Sequence, residues 1–109
     1  MSIETLTDMA MTTQQRLIKL GDKFDRAHDQ VDALDREIDE NTDRLKKATE
    51  AGNQAFMYML NMRLLTLEET RKMYAFFTTK VGHQIEEQVV QLEAVLQARQ
   101  QTLLHNQTE

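Results

Sequence analysis

The sequence predicts an all-α fold, a long antiparallel helical hairpin of coiled-coil type that dimerises into a four-helix bundle. Three observations carry that expectation. From residue 17 to 48, Leu17, Leu20, Phe24, Ala27, Val31, Leu34, Ile38, Asn41, Leu45 and Ala48 recur at alternating gaps of three and four. That is the spacing of a heptad seam. The chain has no proline and only three glycines in 109 residues, less turn chemistry than a sheet protein of this size needs. Gly52-Asn53 supplies one clear stop and restart between two long helical patterns.

The first helix is expected over about residues 5–51 of a single helical domain spanning 1–109. Thr5-Leu6-Thr7-Asp8 and Thr12-Thr13-Gln14-Gln15 both read as starts, each with a hydroxyl at the cap and an acceptor three residues later. Ile3, Leu6 and Met9 keep helical spacing, so the earlier start is consistent with the pattern. Gly21 costs roughly 1 kcal/mol against alanine, too little to break a seam this regular. Asn41 occupies a seam position, where one buried polar residue sets register or oligomer number. Its nearness to the turn gives it a second reading, as a simply solvated side chain.

Glycine at 52 can take the left-handed conformation that ends a helix, and Asn53 can cap the next one. So short a turn makes the two helices antiparallel. The second helix is expected over about 54–104, with apolar positions at Leu60, Leu64, Leu67, Tyr74, Phe77, Val81, Ile85, Val89, Leu92, Leu96 and Leu103. This stripe drifts between Phe77 and Val89, and Gly82 is a candidate kink that would give three helices. Two are preferred, because the pattern continues on both sides of it.

In residues 55–67 all but Asn61, Arg63 and Thr66 are apolar, and those three do not share one helical face. A helix that is apolar all round must be buried on several sides. One antiparallel neighbour covers only one of them. The partner-binding residues expected from this surplus are Phe56, Met57, Met59, Leu60, Met62, Leu64, Leu67 and Phe77. Either a second copy, giving a homodimer, or a helix of another protein would cover them. The methionines suit varied partners, because thioether side chains repack easily.

Charge and composition exclude several classes of function. Net charge is −5, from 18 acidic and 13 basic residues, which disfavours a broad phosphate-binding surface. Lys46, Lys47, Arg71 and Lys72 form the one local basic cluster, and the first two also suit a helix C-terminus. A small nucleic-acid-binding regulator is therefore a less favoured alternative. Asp39, Asn41, Asp43 and Glu50 match ligand positions of a calcium loop, but Arg44 stands where that loop needs glycine. His28, His83 and His105 lie far apart, with no second histidine or cysteine at ligand spacing, so no metal site is expected. The seven aspartates from Asp22 to Asp43, interleaved with Lys23, Arg26, Arg36 and Arg44, read as a solvated face. Without a phosphate loop, or any serine besides Ser2, no catalysis, cofactor or small-molecule substrate is expected.

The first residues carry acid where a signal peptide needs positive charge, and no apolar core of suitable length follows. The apolar segment at 55–67 is too short and polar to insert into a membrane. Zero cysteines leave no disulfide. The expected location is cytoplasmic, with export by a dedicated machine as an alternative.

The segment from Phe24 through Asp25, Arg26, Val31 and Leu34 to Asp35 resembles the second half of a Q-type SNARE motif in its layers and acidic spacing. Leu20 stands where the central glutamine of that motif would be, and heptads with Asp and Arg outside converge on this look. In size, acidity and helix-turn-helix layout the chain is also similar to small secretion chaperones of bacterial export systems. That likeness implies a protein that covers a helix of another subunit. The expected function is accordingly a non-catalytic coiled-coil adaptor or chaperone that binds a helical segment. The alternative is a structural coiled-coil subunit of a larger assembly.

Overall fold

The computed structural model describes residues 1–108 and holds two helices, α1 (Ile3–Ala51) and α2 (Gln54–Thr108), joined as a helical hairpin. Ser2 caps α1: its Oγ accepts the Thr5 N–H at 3.1 Å, and its carbonyl accepts the Leu6 N–H. Thr5 and Thr12, the expected caps, lie inside the helix. Ser2 satisfies the first orphan donors ahead of either one.

The turn combines two end motifs in two residues. The Asn53 N–H donates to the Ala48 carbonyl at 3.0 Å, and the Gly52 N–H donates to the Thr49 carbonyl at 3.1 Å. This paired closure requires a left-handed residue at the end of α1. Gly52 provides it, with φ +69°. Asn53 then starts α2, its Oδ1 accepting the Phe56 N–H at 3.2 Å. Gly82 does not break α2, which is helical on both sides of it. A Cβ there would stand 3.7 Å from a ring carbon of Phe24, an ordinary contact.

Contacts divide the chain into two compact units, each taking a stretch of both helices. The turn-proximal unit is Asp25–Thr79. Its buried positions alternate in size, with Ala27, Asn41 and Ala48 on α1 and Leu60, Leu64 and Leu67 on α2. Val31, Leu34, Ile38 and Leu45 are half-buried beside them. Each buried leucine contributes roughly 1.5–3 kcal/mol through removal from water. Two ion pairs cross between the helices, Arg71 with Asp35 and Arg63 with Glu37 at 3.5 Å.

The terminal unit is Met1–Phe24 with Lys80–Glu109. Leu6, Thr13 and Val81 are buried there, and Leu17, Leu20, Phe24, Ile85, Leu92 and Val95 are half-buried. Thr13 keeps its hydroxyl satisfied by donating to the Met9 carbonyl at 2.9 Å. Arg99 Nε donates to Thr7 Oγ1 at 2.9 Å, joining the two helices.

The inward register of α2 differs from the expected apolar stripe. Beyond Leu67 the covered positions include Arg71, Thr78, Gln88, Arg99 and Thr102, while Phe77, Val89, Leu96 and Leu103 are exposed. Arginine can hold an inward position because its stem packs while its head reaches a polar partner. Both arginines do so, one on Asp35 and the other on Thr7.

Candidate partner-binding surface

The expected binding residues fall into two groups on opposite faces of α2. Leu60, Leu64 and Leu67 are buried in the hairpin's own seam, with Met57 half-buried at its edge. These side chains are therefore occupied by α1, and their expected place on a docking surface is corrected. Phe56, Met59, Met62 and Phe77 remain exposed. The apolar-all-round segment is thus served on one side only.

The outer face also holds residues that the sequence reasoning did not single out. Tyr58, Leu65, Met73 and Phe76 are 56–73% exposed, as free as Met59 and Met62. Tyr58, Met62, Leu65, Glu69, Lys72 and Phe76 repeat at gaps of four and three along this face. That is a second heptad seam on the side of α2 turned away from Leu60 and Leu64. The signal was present as period, but periodicity alone does not say which of two apolar faces meets α1.

Charge on this face is sparse and internally matched. Glu69 Oε1 accepts from Lys72 Nζ at 3.2 Å. Arg63, the one cation within 55–67, turns aside to Glu37 at 3.5 Å. Arg71 lies on the inner side, where both carboxylate oxygens of Asp35 engage its guanidinium. The hydrogen bond to Asp35, and then its charge, hold Arg71 above the ordinary guanidinium pKa. Along the seam from Tyr58 to Phe76 the exposed apolar side chains are interrupted by the Glu69–Lys72 ion pair, and Thr66 lies beside them with its hydroxyl donating to the Met62 carbonyl. Contiguous apolar patches beyond a few hundred Å² are uncommon on isolated soluble proteins and mark interaction sites.

No protein-family model, curated protein or solved structure matches this chain. The surface is therefore read from its own chemistry.

Two other sequence features resolve differently. The segment with calcium-loop spacing is continuous helix, with Asn41 buried and Lys47 Nζ paired to Asp43 at 3.3 Å. A helix cannot wrap its own carboxylates around one ion as a loop does. His28, in contrast, does gather carboxylates, because Asp29 and Asp32 bring ligand atoms within 4.8 Å of it and of each other. In the sequence these carboxylates stand one and four residues after His28, without the second histidine or cysteine that marks a metal site. All three are exposed, and His28 Nδ1 lies 3.5 Å from Asp32. The arrangement is an exposed, solvated cluster of polar side chains. Among the described residues no helix is long and apolar enough to cross a membrane.

Proposed function

We propose that this chain is a non-catalytic helical adaptor, chaperone-like in layout, which binds an amphipathic helix along the outer face of α2. The observation that carries the reading is the second apolar seam in the turn-proximal unit, where Tyr58, Met62, Leu65 and Phe76 stay more than half exposed. A partner helix with anchors at the same three-and-four spacing would fill it, burying one face in the groove-docking mode. The neighbouring methionines let the surface adjust to more than one such helix.

The state of the basic residues supports this reading over nucleic-acid binding. Lys47, Arg71 and Lys72, three of the four cations in the basic cluster, already face Asp43, Asp35 and Glu69. A phosphate backbone would have to displace each carboxylate before gaining the contact.

The test compares proteins captured in the native cell by the unaltered chain and by Met62→Asp and Phe76→Asp. A helical partner should be lost with either variant and retained with Asp25→Asn, which alters only the acidic face of α1. Equal capture by all four chains would refute the reading.

A further inference from the structure

We propose that a second copy of this chain covers the outer seam of α2 in antiparallel orientation, about a two-fold axis lying between Glu69 and Lys72. The inference rests on the reading that this face docks a helix, and it adds the occupant and its direction. The order of side chains argues for both. Along the seam, Met62 and Leu65 precede Glu69, and Lys72 precedes Phe76, at gaps of three and four.

An antiparallel copy centred between positions 69 and 72 sets each Glu69 opposite Lys72 of the other chain. The same register sets each Leu65 opposite Phe76, and each Met62 opposite Thr79. The Leu65–Phe76 layers are then apolar, each Met62 meets a threonine, and the one charged interruption becomes two opposite-charge pairs. In a parallel, in-register pair, Glu69 would face Glu69 and Lys72 would face Lys72. Like charges placed opposite one another across an interface are strongly unfavourable. The charge order therefore selects the antiparallel arrangement.

The 3.2 Å pair of Glu69 and Lys72 within one chain shows both ends exposed, at 69% and 73%, and free to exchange partners on docking. A two-fold contact also uses one patch on both chains, as a self-complementary face requires. Two hairpins joined in this way bring four helices together.

The chain contains no cysteine, which permits a direct test of direction. Leu65→Cys and Phe76→Cys variants are prepared, and each is oxidised alone and after mixing. The expected result is a cross-linked dimer in the mixture and none from either variant alone, with unaltered protein sedimenting at twice the chain mass. In parallel, Glu69→Lys and Lys72→Glu should each weaken self-association about tenfold or more, while their mixture restores it. Circular dichroism confirms that each variant keeps its helix content. Cross-linking of Leu65→Cys to itself, or a dimer that cross-links at neither site, overturns the arrangement. So does a chain that remains monomeric at millimolar concentration. If that monomer still loses a helical partner on Met62→Asp, only the second copy is refuted. If capture is also unchanged, the docking reading itself falls.

Discussion

Asp35 on α1 receives both the Nε and the Nη2 of Arg71, which stands on the inner side of α2 where a hydrophobic residue would be usual. This fork ties the helices at a layer that has no leucine to contribute. Both side chains are about half exposed, so the pair positions more than it stabilises. Arg71→Lys keeps the charge but loses the planar fork, and is expected to lower the thermal midpoint slightly. A double-mutant cycle with Arg71→Gln and Asp35→Asn should show favourable coupling that shrinks as salt is raised. Coupling insensitive to salt would mean that packing, not charge, joins the two residues.

Asn41 is buried, 4% exposed, and only half satisfied. Its Nδ2 donates to the Glu37 carbonyl at 2.7 Å, while Oδ1 has no partner. A buried acceptor left unpaired costs about 1–3 kcal/mol. Asn41→Leu should therefore raise stability by about that amount, read as a higher urea midpoint with unchanged slope. The same change removes the one polar marker in this part of the seam, so register should become less sharply defined. A lower midpoint would show that leucine overfills the space between the helices.

These two positions also show where the sequence could and could not be read. The course of α1 was legible because nearly every inward position, from Leu17 to Ala48, is apolar or small. The inward register of α2 was only partly legible beyond Leu67, where Val81, Ile85 and Leu92 of the expected stripe are covered and Phe77, Val89, Leu96 and Leu103 are not. There the polar residues Arg71, Thr78, Gln88, Arg99 and Thr102 share the covered side with Val81, Ile85, Leu92 and Val95, while the apolar residues Phe77, Val89 and Leu96 point outward. A pattern followed by hydrophobicity drifts with the outward set, as the expected stripe did. The expected surface residues mixed two faces of α2, since Leu60 and Met62 differ in exposure and not in polarity. Ser2 was passed over as a cap because it lacks the acidic or amide residue three positions on that marks a capping box.

Gly52 and Gly21 should respond to alanine in opposite directions. Gly52 holds φ at +69°, which a Cβ makes costly, so Gly52→Ala should destabilise by about 1–2 kcal/mol. Gly52→Asn should be milder, because asparagine tolerates the left-handed region. Gly21 lies in regular helix, and a Cβ added there would meet nothing within 4 Å. Gly21→Ala should therefore stabilise by about 0.5–1 kcal/mol. Equilibrium unfolding of the three variants checks all these signs. Stabilisation by Gly52→Ala would mean that α1 does not end in the paired hydrogen bonds to Ala48 and Thr49.

Leu64 and Met62 stand two residues apart on α2 and should separate stability from binding. Leu64 is 8% exposed in the hairpin seam, whereas Met62 is 64% exposed on the outer face. Leu64→Ala removes buried methyl groups and should cost about 2–5 kcal/mol of stability, depending on how far the seam can close. Met62→Gln exchanges one exposed, helix-compatible side chain for another of similar length and should change stability by less than about 0.5 kcal/mol. Its effect should fall instead on association, because glutamine leaves a polar amide where the docked helix needs an apolar layer. Urea unfolding of dilute protein reads the first quantity, and sedimentation across a concentration series reads the second. If Met62→Gln unfolds the chain while Leu64→Ala leaves it intact, α2 turns its other face to α1. The docking surface would then have to be sought on the side of Leu60 and Leu67.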